Sequence, residues 1–404
     1  MVKGKLSARG QELVDSPALM GYVREHLARV GTEGYVPACI AESDLCSEEM
    51  AARLAAVPPM PPHNLHYGSM VGEDALRTAV LGLLVHAGVL PADAFTAHQV
   101  ALVAGVGTAL EMLMYAIADP GEGVLVPAPT YAGFYMDLGT RDELAIVLAQ
   151  RSADNEWALT PEALDAAWDA ADVPIRALLL CNPDNPLGRV YSHDELTTAV
   201  AWARAKGIHI VVDEIYALSV FADNASFVSA AATLGPDTLG DDVHLLWGFS
   251  KDFGVGGLRC GGVLSHNSNL LAAIDGLGYW GAVSRHTQWA LHHLLVDMPW
   301  IDSYLATSKS RLRDAYQVVT DALDACGIPY VPAVAGMFFV VDLRQFLDEP
   351  TWEGEARLWQ RLLDNHGLNL TPGSELRAAE PGWFRLCFAA FDASVIAETM
   401  AAIE

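Results

Sequence analysis

Apolar residues recur along the chain in two alternating periods. Leu76, Val80, Leu83 and Leu84 are spaced four, three and one apart, which puts them on one face of a helix. Downstream come five short apolar runs, VALVAG, GVLVPAP, RALLLCNP, IHIVVDEIY and VHLLWGFS. Each is bounded by Gly, Pro, Asn or Asp and is shorter than a helix, so they predict strands. Stretches of helical composition such as HDELTTAVAWARAKG lie between them. A repeated strand–helix unit with unbroken apolar strands predicts an α/β fold, a mostly parallel central sheet flanked by helices on both faces. Pro58, Pro59, Pro61 and Pro62 break the pattern before Asn64. The expected organisation is a large domain over 64–299 and a smaller α+β domain built from the two chain ends, 1–63 and 300–404.

Composition narrows the function classes. At 404 residues, 52% apolar and 18% charged, the chain can bury a large core and is not a disordered one. Lys+Arg 24 against Asp+Glu 50 leaves a formal net charge of −26, which repels nucleic-acid backbones and anionic lipid. A few local arginines still suffice for a small anionic ligand. The N-terminal MVKGKLSARGQELV has no apolar core or cleavage site of a secretion signal, and no apolar run reaches membrane-spanning length, so a cytoplasmic location is expected. The six cysteines are scattered singly with no CxxC pair, which fits reduced buried thiols better than zinc or a disulfide frame. The pairs His63/His66 and His292/His293 have no partner cluster, and no metal site is expected.

Unusual residues gather where the strands end, which is where open α/β sheets bind ligands. The first run leads into Gly105, Val106, Gly107 and Thr108 and then a helix, an arrangement that aims backbone N–H groups at an anion. A Gly turn alone is equally well a tight turn. Leu110 stands where a dinucleotide fingerprint would need a third Gly. Tyr131 follows the proline turn after the second run and can offer a ring face, although half-buried tyrosines are common. Two Asn-Pro steps in Asn182-Pro183-Asp184-Asn185-Pro186 hold the backbone extended and present the Asn185 amide. Asp213 and Tyr216 close the run VVDEIY, and a carboxylate there needs a cation, a metal or a protonated ring nitrogen. Lys251 follows Ser250 just past the fifth run, where desolvation would lower its pKa and make it a Schiff-base nucleophile. Arg259 follows in GGLRCGG, and Arg385 lies inside the apolar WFRLCF, as a bidentate carboxylate clamp would. Pyridoxal 5′-phosphate is the cofactor that uses all of these: a phosphate cradle, a ring stack, donors for its 3-oxygen, a carboxylate for its ring nitrogen and a lysine for its aldehyde.

From about Leu6 to the C-terminus, NPDNPLG, DEIY, SKDFG and GLRCGG resemble, in order, the signatures of the fold-type I, aspartate-aminotransferase-like family of pyridoxal-phosphate enzymes. The resemblance implies that Lys251 is the Schiff-base lysine, Asp213 the partner of the ring nitrogen, Tyr216 and Asn185 the donors to the 3-oxygen, and Tyr131 the stacking ring. It places Val106, Gly107, Thr108 and Arg259 around the phosphate, adds Ser250 to the cofactor-binding residues, and puts Arg385 with Asn185 on the substrate carboxylate. Tyr67, in HYGSMVG, resembles a tyrosine that crosses to the neighbouring site, so a homodimer with shared active sites is implied. One position departs: Gly248 stands where the family usually has a Ser or Thr on the phosphate.

LSARG with ACIAESDLC, PAPTYAGFYMDL and EPGWFRLCFA look most like the 1-aminocyclopropane-1-carboxylate synthase branch, which acts on S-adenosylmethionine. Glu42 matches that branch's AEN motif, while Ser43 and Asp44 depart from it. The resemblance implies that Lys251 removes the Cα proton of S-adenosylmethionine and that methylthioadenosine leaves the γ-carbon. Cyclisation, or γ-substitution by a second small-molecule substrate, then follows. An ordinary class I/II aminotransferase is the alternative on the same residues. A non-catalytic protein of this fold would be expected to lack Lys251, Asp213 or Arg385, and all three are present.

Overall fold

The computed structural model describes residues 4–15 and 20–403. Nine strands are present: β1 (Val100–Val103), β2 (Gly123–Ala128), β3 (Ala145–Gln150), β4 (Ile175–Cys181), β5 (His209–Asp213), β6 (Val243–Gly248), β7 (Gly261–Ser265), β8 (Phe338–Asp342) and β9 (Trp383–Cys387). The first seven form one sheet in the order β1-β7-β6-β5-β4-β2-β3, and β8 and β9 form an antiparallel pair. Within the large sheet β7 runs antiparallel to both of its neighbours, and the remaining pairs are parallel. The five predicted strands are all found, as β1, β2, β4, β5 and β6. The fold is α/β with a mostly parallel sheet, as the alternation of strand and helix patterns implies.

Successive residues of each central strand feed opposite cores. Leu178, Leu180, Ile210, Val212 and Leu245 pack on one face, while Ala177, Leu179, Val211 and Leu246 pack on the other. Each fully buried Leu, Ile or Val side chain contributes about 1.5–3 kcal/mol from desolvation. The predicted helix is present at Asp74–His86 and buries Leu76, Val80, Leu83 and Leu84. Helix His193–Lys206 shows how its ends are written locally. Ser192 and Glu195 form a capping box, and Gly207 closes the helix in the left-handed conformation.

This topology brings the carboxyl ends of β1, β2, β4, β5 and β6 to one edge. The N-terminal segment is tied to the C-terminal strands there: the Cys387 N–H donates to Ala38 O at 2.8 Å and the Asp44 N–H to Ala389 O at 2.9 Å. Residues 38–44 therefore run along the open end of the large sheet. Among the described residues no helix is long and apolar enough to cross a membrane.

Candidate active site

A cavity of about 250 Å³ opens at that edge, lined among others by Glu42, Val106, Gly107, Tyr131, Asn185, Asp213, Tyr216, Ser250, Lys251 and Arg259. Ten of the residues singled out in the sequence thus meet in one place. Arg385 adjoins them, since its Nη1 donates to Asn185 Oδ1 at 3.0 Å. Its Nη2 donates to Cys39 O at 2.7 Å and to Thr371 Oγ1 at 3.1 Å, while Nε is buried without a partner. Asn185 Nδ2 donates to Tyr216 Oη at 3.2 Å, so arginine, amide and phenol form one chain. Thr108 lies just outside this cavity, lining an adjoining one of about 400 Å³, and its hydroxyl donates to Ala104 O. Tyr67 is not brought to the pocket: it is 97% exposed and lies beside Leu65, Met70 and Arg285.

Burial sets the charges. Asp213 accepts one hydrogen bond, from the Ile215 N–H at 3.2 Å, and burial pushes its carboxyl up to about 7. Glu214 points away, accepting from Ser229 Oγ and the Ala230 N–H. Lys251 Nζ donates to Ala41 O at 2.6 Å, and burial first, then the charge of Arg385, lowers its pKa from the ordinary lysine value, with Glu42 opposing. Burial likewise pushes the Tyr216 phenol well up, so it stays a neutral donor.

These features fit pyridoxal phosphate. Asp213 is a buried carboxyl with no cation bonded to it, which a protonated ring nitrogen would satisfy. The first N–H groups of helix Val106–Ile117 face Arg259, whose guanidinium lies where a Cβ on Gly105 would fall, at 2.6 Å. Gly105 has φ +99°, a conformation that suits glycine. Gly248 is explained by space: an added Cβ would sit 2.8 Å from Val106 Cγ2 and 2.9 Å from Gly261 Cα. Among the described residues no His/Cys/Asp/Glu cluster could hold a metal ion, and the cysteines are free thiols, five of the six buried.

Several contributors escaped the sequence reading. Asp137 lines the pocket and lies within PAPTYAGFYMDL, but nothing in its spacing marks it. Arg151 is buried under two loops. It pairs with Asp184 and donates to Ala128 O, Pro129 O and Tyr191 Oη, tying the turn before Tyr131 to the loop that carries Asn185. An arginine ending the apolar run LAIVLAQR is the signal that would have found it.

Residues 52–403 match the family described as aminotransferase class I and II. The chain is 36% identical over 301 residues to 1-aminocyclopropane-1-carboxylate synthase 1 of Prunus mume, covering 74% of this chain and 61% of that protein. It is 37% identical over 311 residues to 1-aminocyclopropane-1-carboxylate synthase 1 of Oryza sativa subsp. indica, covering 75% and 64%. The chain thus spans less than two thirds of the length of these two relatives. Among solved structures, a double mutant of Thermus thermophilus aspartate aminotransferase superposes with a TM-score of 0.81 at 20% identity, over 99% of this chain and 100% of that one.

Proposed function

The chain belongs to the aminotransferase class I and II family, whose enzymes use pyridoxal 5′-phosphate, and on that premise we propose that its substrate is S-adenosylmethionine and its reaction elimination at the γ-carbon. The names and 36–37% identity of the plant relatives support this reading. The observation that carries it is the position of Glu42, beside Lys251 at the mouth of the cofactor pocket, where its carboxylate can face a sulfonium.

The side chains have separable tasks. Arg385, held by Asn185, Thr371 and the Cys39 carbonyl, binds the α-carboxylate of the amino acid. Asp213 keeps a proton on the ring nitrogen, and Asn185 and Tyr216 donate to the 3-oxygen. Bound there, the cofactor supplies an electron sink for negative charge at Cα. Lys251, whose lowered pKa frees its amine lone pair, takes the Cα proton as general base. The Cγ–S bond then breaks with its electron pair leaving on sulfur as methylthioadenosine. A new bond from Cα to Cγ, made with the electron pair of the broken Cα–H bond, closes the three-membered ring, and the proton taken by Lys251 is released to solvent. In the alternative a Cβ proton is also lost as methylthioadenosine departs, a second substrate adds at Cγ through an N–H, O–H or S–H group, and protons return to Cβ and Cα, so that the one proton released is the nucleophile's.

The lobe formed by 1–63 and 300–404 carries Glu42 and Arg385 and would close over 64–299, completing the carboxylate clamp. Tyr67 belongs to the site of a second copy. It is exposed, as are Leu65, Tyr279 and Trp280, and exposed large apolar side chains are what an interface with a second copy would cover.

The test is incubation of the cofactor-loaded protein with S-adenosylmethionine and mass analysis of the products. Methylthioadenosine with a four-carbon amino acid is the expected result, and the mass of that fragment separates cyclisation from capture. Unchanged S-adenosylmethionine, with keto acid formed from another amino acid in a panel, would replace this reading by transamination.

A further inference from the structure

Gly107, Asp137 and Arg259 line both the cofactor pocket and the adjoining cavity, so they form the throat between the two. The cofactor's phosphate must lie there, between the Arg259 guanidinium and the first N–H groups of helix Val106–Ile117. Apart from Arg259 and the Ser250 hydroxyl on the pocket side, this throat is short of side-chain donors. Residues 107 and 248 are both glycine, the Thr108 hydroxyl is spent on Ala104 O, and Val106 Cγ2 occupies the space over Gly248. Asp137, on the short helix Phe134–Gly139, reaches over the turn: its Oδ1 would lie 3.0 Å from a Cβ on Gly107. No hydrogen bond from the described residues reaches its carboxyl.

We infer that Asp137 binds the cofactor phosphate as a neutral carboxyl, its O–H donating to a phosphate oxygen where neither glycine offers a hydroxyl. An ionised Asp137 would face the phosphate across the throat and repel it. Burial already pushes this carboxyl up to about 6, Arg259 opposing, and a neighbouring dianion raises it further. The other titratable groups lining the two cavities are Glu42, Tyr131, Cys181, Asp213, Tyr216 and Lys251 on the pocket side, with Glu111, Tyr115 and Arg141 on the outer side. Asp137 in turn disfavours ionisation of Asp213. The role needs only that the pocket is the cofactor's and is independent of the substrate.

The test is binding of pyridoxamine 5′-phosphate, which cannot link to Lys251, to cofactor-free wild type, Asp137→Asn and Asp137→Ala between pH 6 and 9. A carboxyl that must be protonated in the complex makes wild-type affinity fall by up to about tenfold per pH unit more than that of Asp137→Asn. Asp137→Asn, which keeps a donor, should bind within about threefold of wild type at pH 6, and Asp137→Ala at least about tenfold more weakly. Pyridoxamine without the phosphate should show no difference among the three. Thermal unfolding checks each fold, and the Asn variant alone carries the pH comparison if the Ala variant does not fold. Equal pH slopes in wild type and Asp137→Asn, or unchanged or tighter binding by Asp137→Ala, would overturn the role. Failure of wild type to bind at any pH would instead overturn the cofactor assignment, and the role with it.

Discussion

Lys251 and Asp213 are held toward charge states opposite to those they have in water. Burial lowers the lysine pKa from its ordinary value and pushes the aspartate up to about 7, so in the cofactor-free pocket each group is displaced toward its uncharged form. For Asp213 folding favours the neutral form, so its contribution to stability is full below the unfolded value of 3.8 and is lost as pH rises through about 7. The melting temperature of cofactor-free Asp213→Asn should therefore fall less between pH 5 and 8 than that of wild type, and equal falls would show that Asp213 does not titrate there. The same variant should lose turnover, because an amide does not hold a proton on the ring nitrogen. In the proposed mechanism Arg385 acts on the substrate rather than the cofactor. Its replacement by Ala should weaken amino-acid binding by about 2–5 kcal/mol if the charge pair is buried. Spectral titration with substrate measures that loss, and a change confined to cofactor content would contradict the placement.

At the level of elements, the sequence was most legible where strands are central and apolar. VALV, IRALLLC, HIVVD and VHLLWG are buried almost throughout, and their ends carry Lys251, Asp213 and Asn185 as the punctuation by Gly, Pro and Asn suggested. β3 was missed because it is an edge strand, only part-buried over most of its length, with a pattern less distinct than that of its neighbours. β7 was missed because it begins with two glycines, which usually argue against a strand. Here they are demanded by close backbones: a Cβ on Gly262 would fall 2.1 Å from Ala101 O. Asp137 and the partner of Arg151 were illegible because they depend on segments distant in sequence that meet only in three dimensions: Asp137 sits on a short helix over the Gly107 turn, and Arg151 pairs with Asp184. The Gly248 departure was visible, but its cause, the Val106 side chain filling the same space, was not. Gly248→Ser should destabilise the protein by about 1–3 kcal/mol through overpacking. Adding Val106→Ala should recover only part of the loss, because the backbone at Gly261 Cα and Cys260 O, 2.9 and 3.0 Å from the added Cβ, stays in place. Denaturant unfolding of the two variants checks this, and a fully stable single variant would contradict it.

For the whole molecule, the shared-site homodimer proposed from the exposed Tyr67 is open to a direct test. Lys251→Ala and Tyr67→Ala should each be nearly inactive alone. Mixed and allowed to exchange subunits, they should recover about one quarter of wild-type activity, since half of the dimers are mixed and each holds one intact site. No recovery, despite exchange shown by mass, would place Tyr67 outside the partner's site. The central claim is that Lys251 takes the Cα proton of S-adenosylmethionine and so releases methylthioadenosine. The most direct measurement is the rate of methylthioadenosine release from S-adenosylmethionine carrying hydrogen or deuterium at Cα, with wild type and Lys251→Ala under single-turnover conditions. The prediction is a slower release from the deuterated substrate by wild type, and a rate lower by at least about 10³-fold in the variant. Release that is indifferent to both deuterium and Lys251, or no release at all, would contradict it.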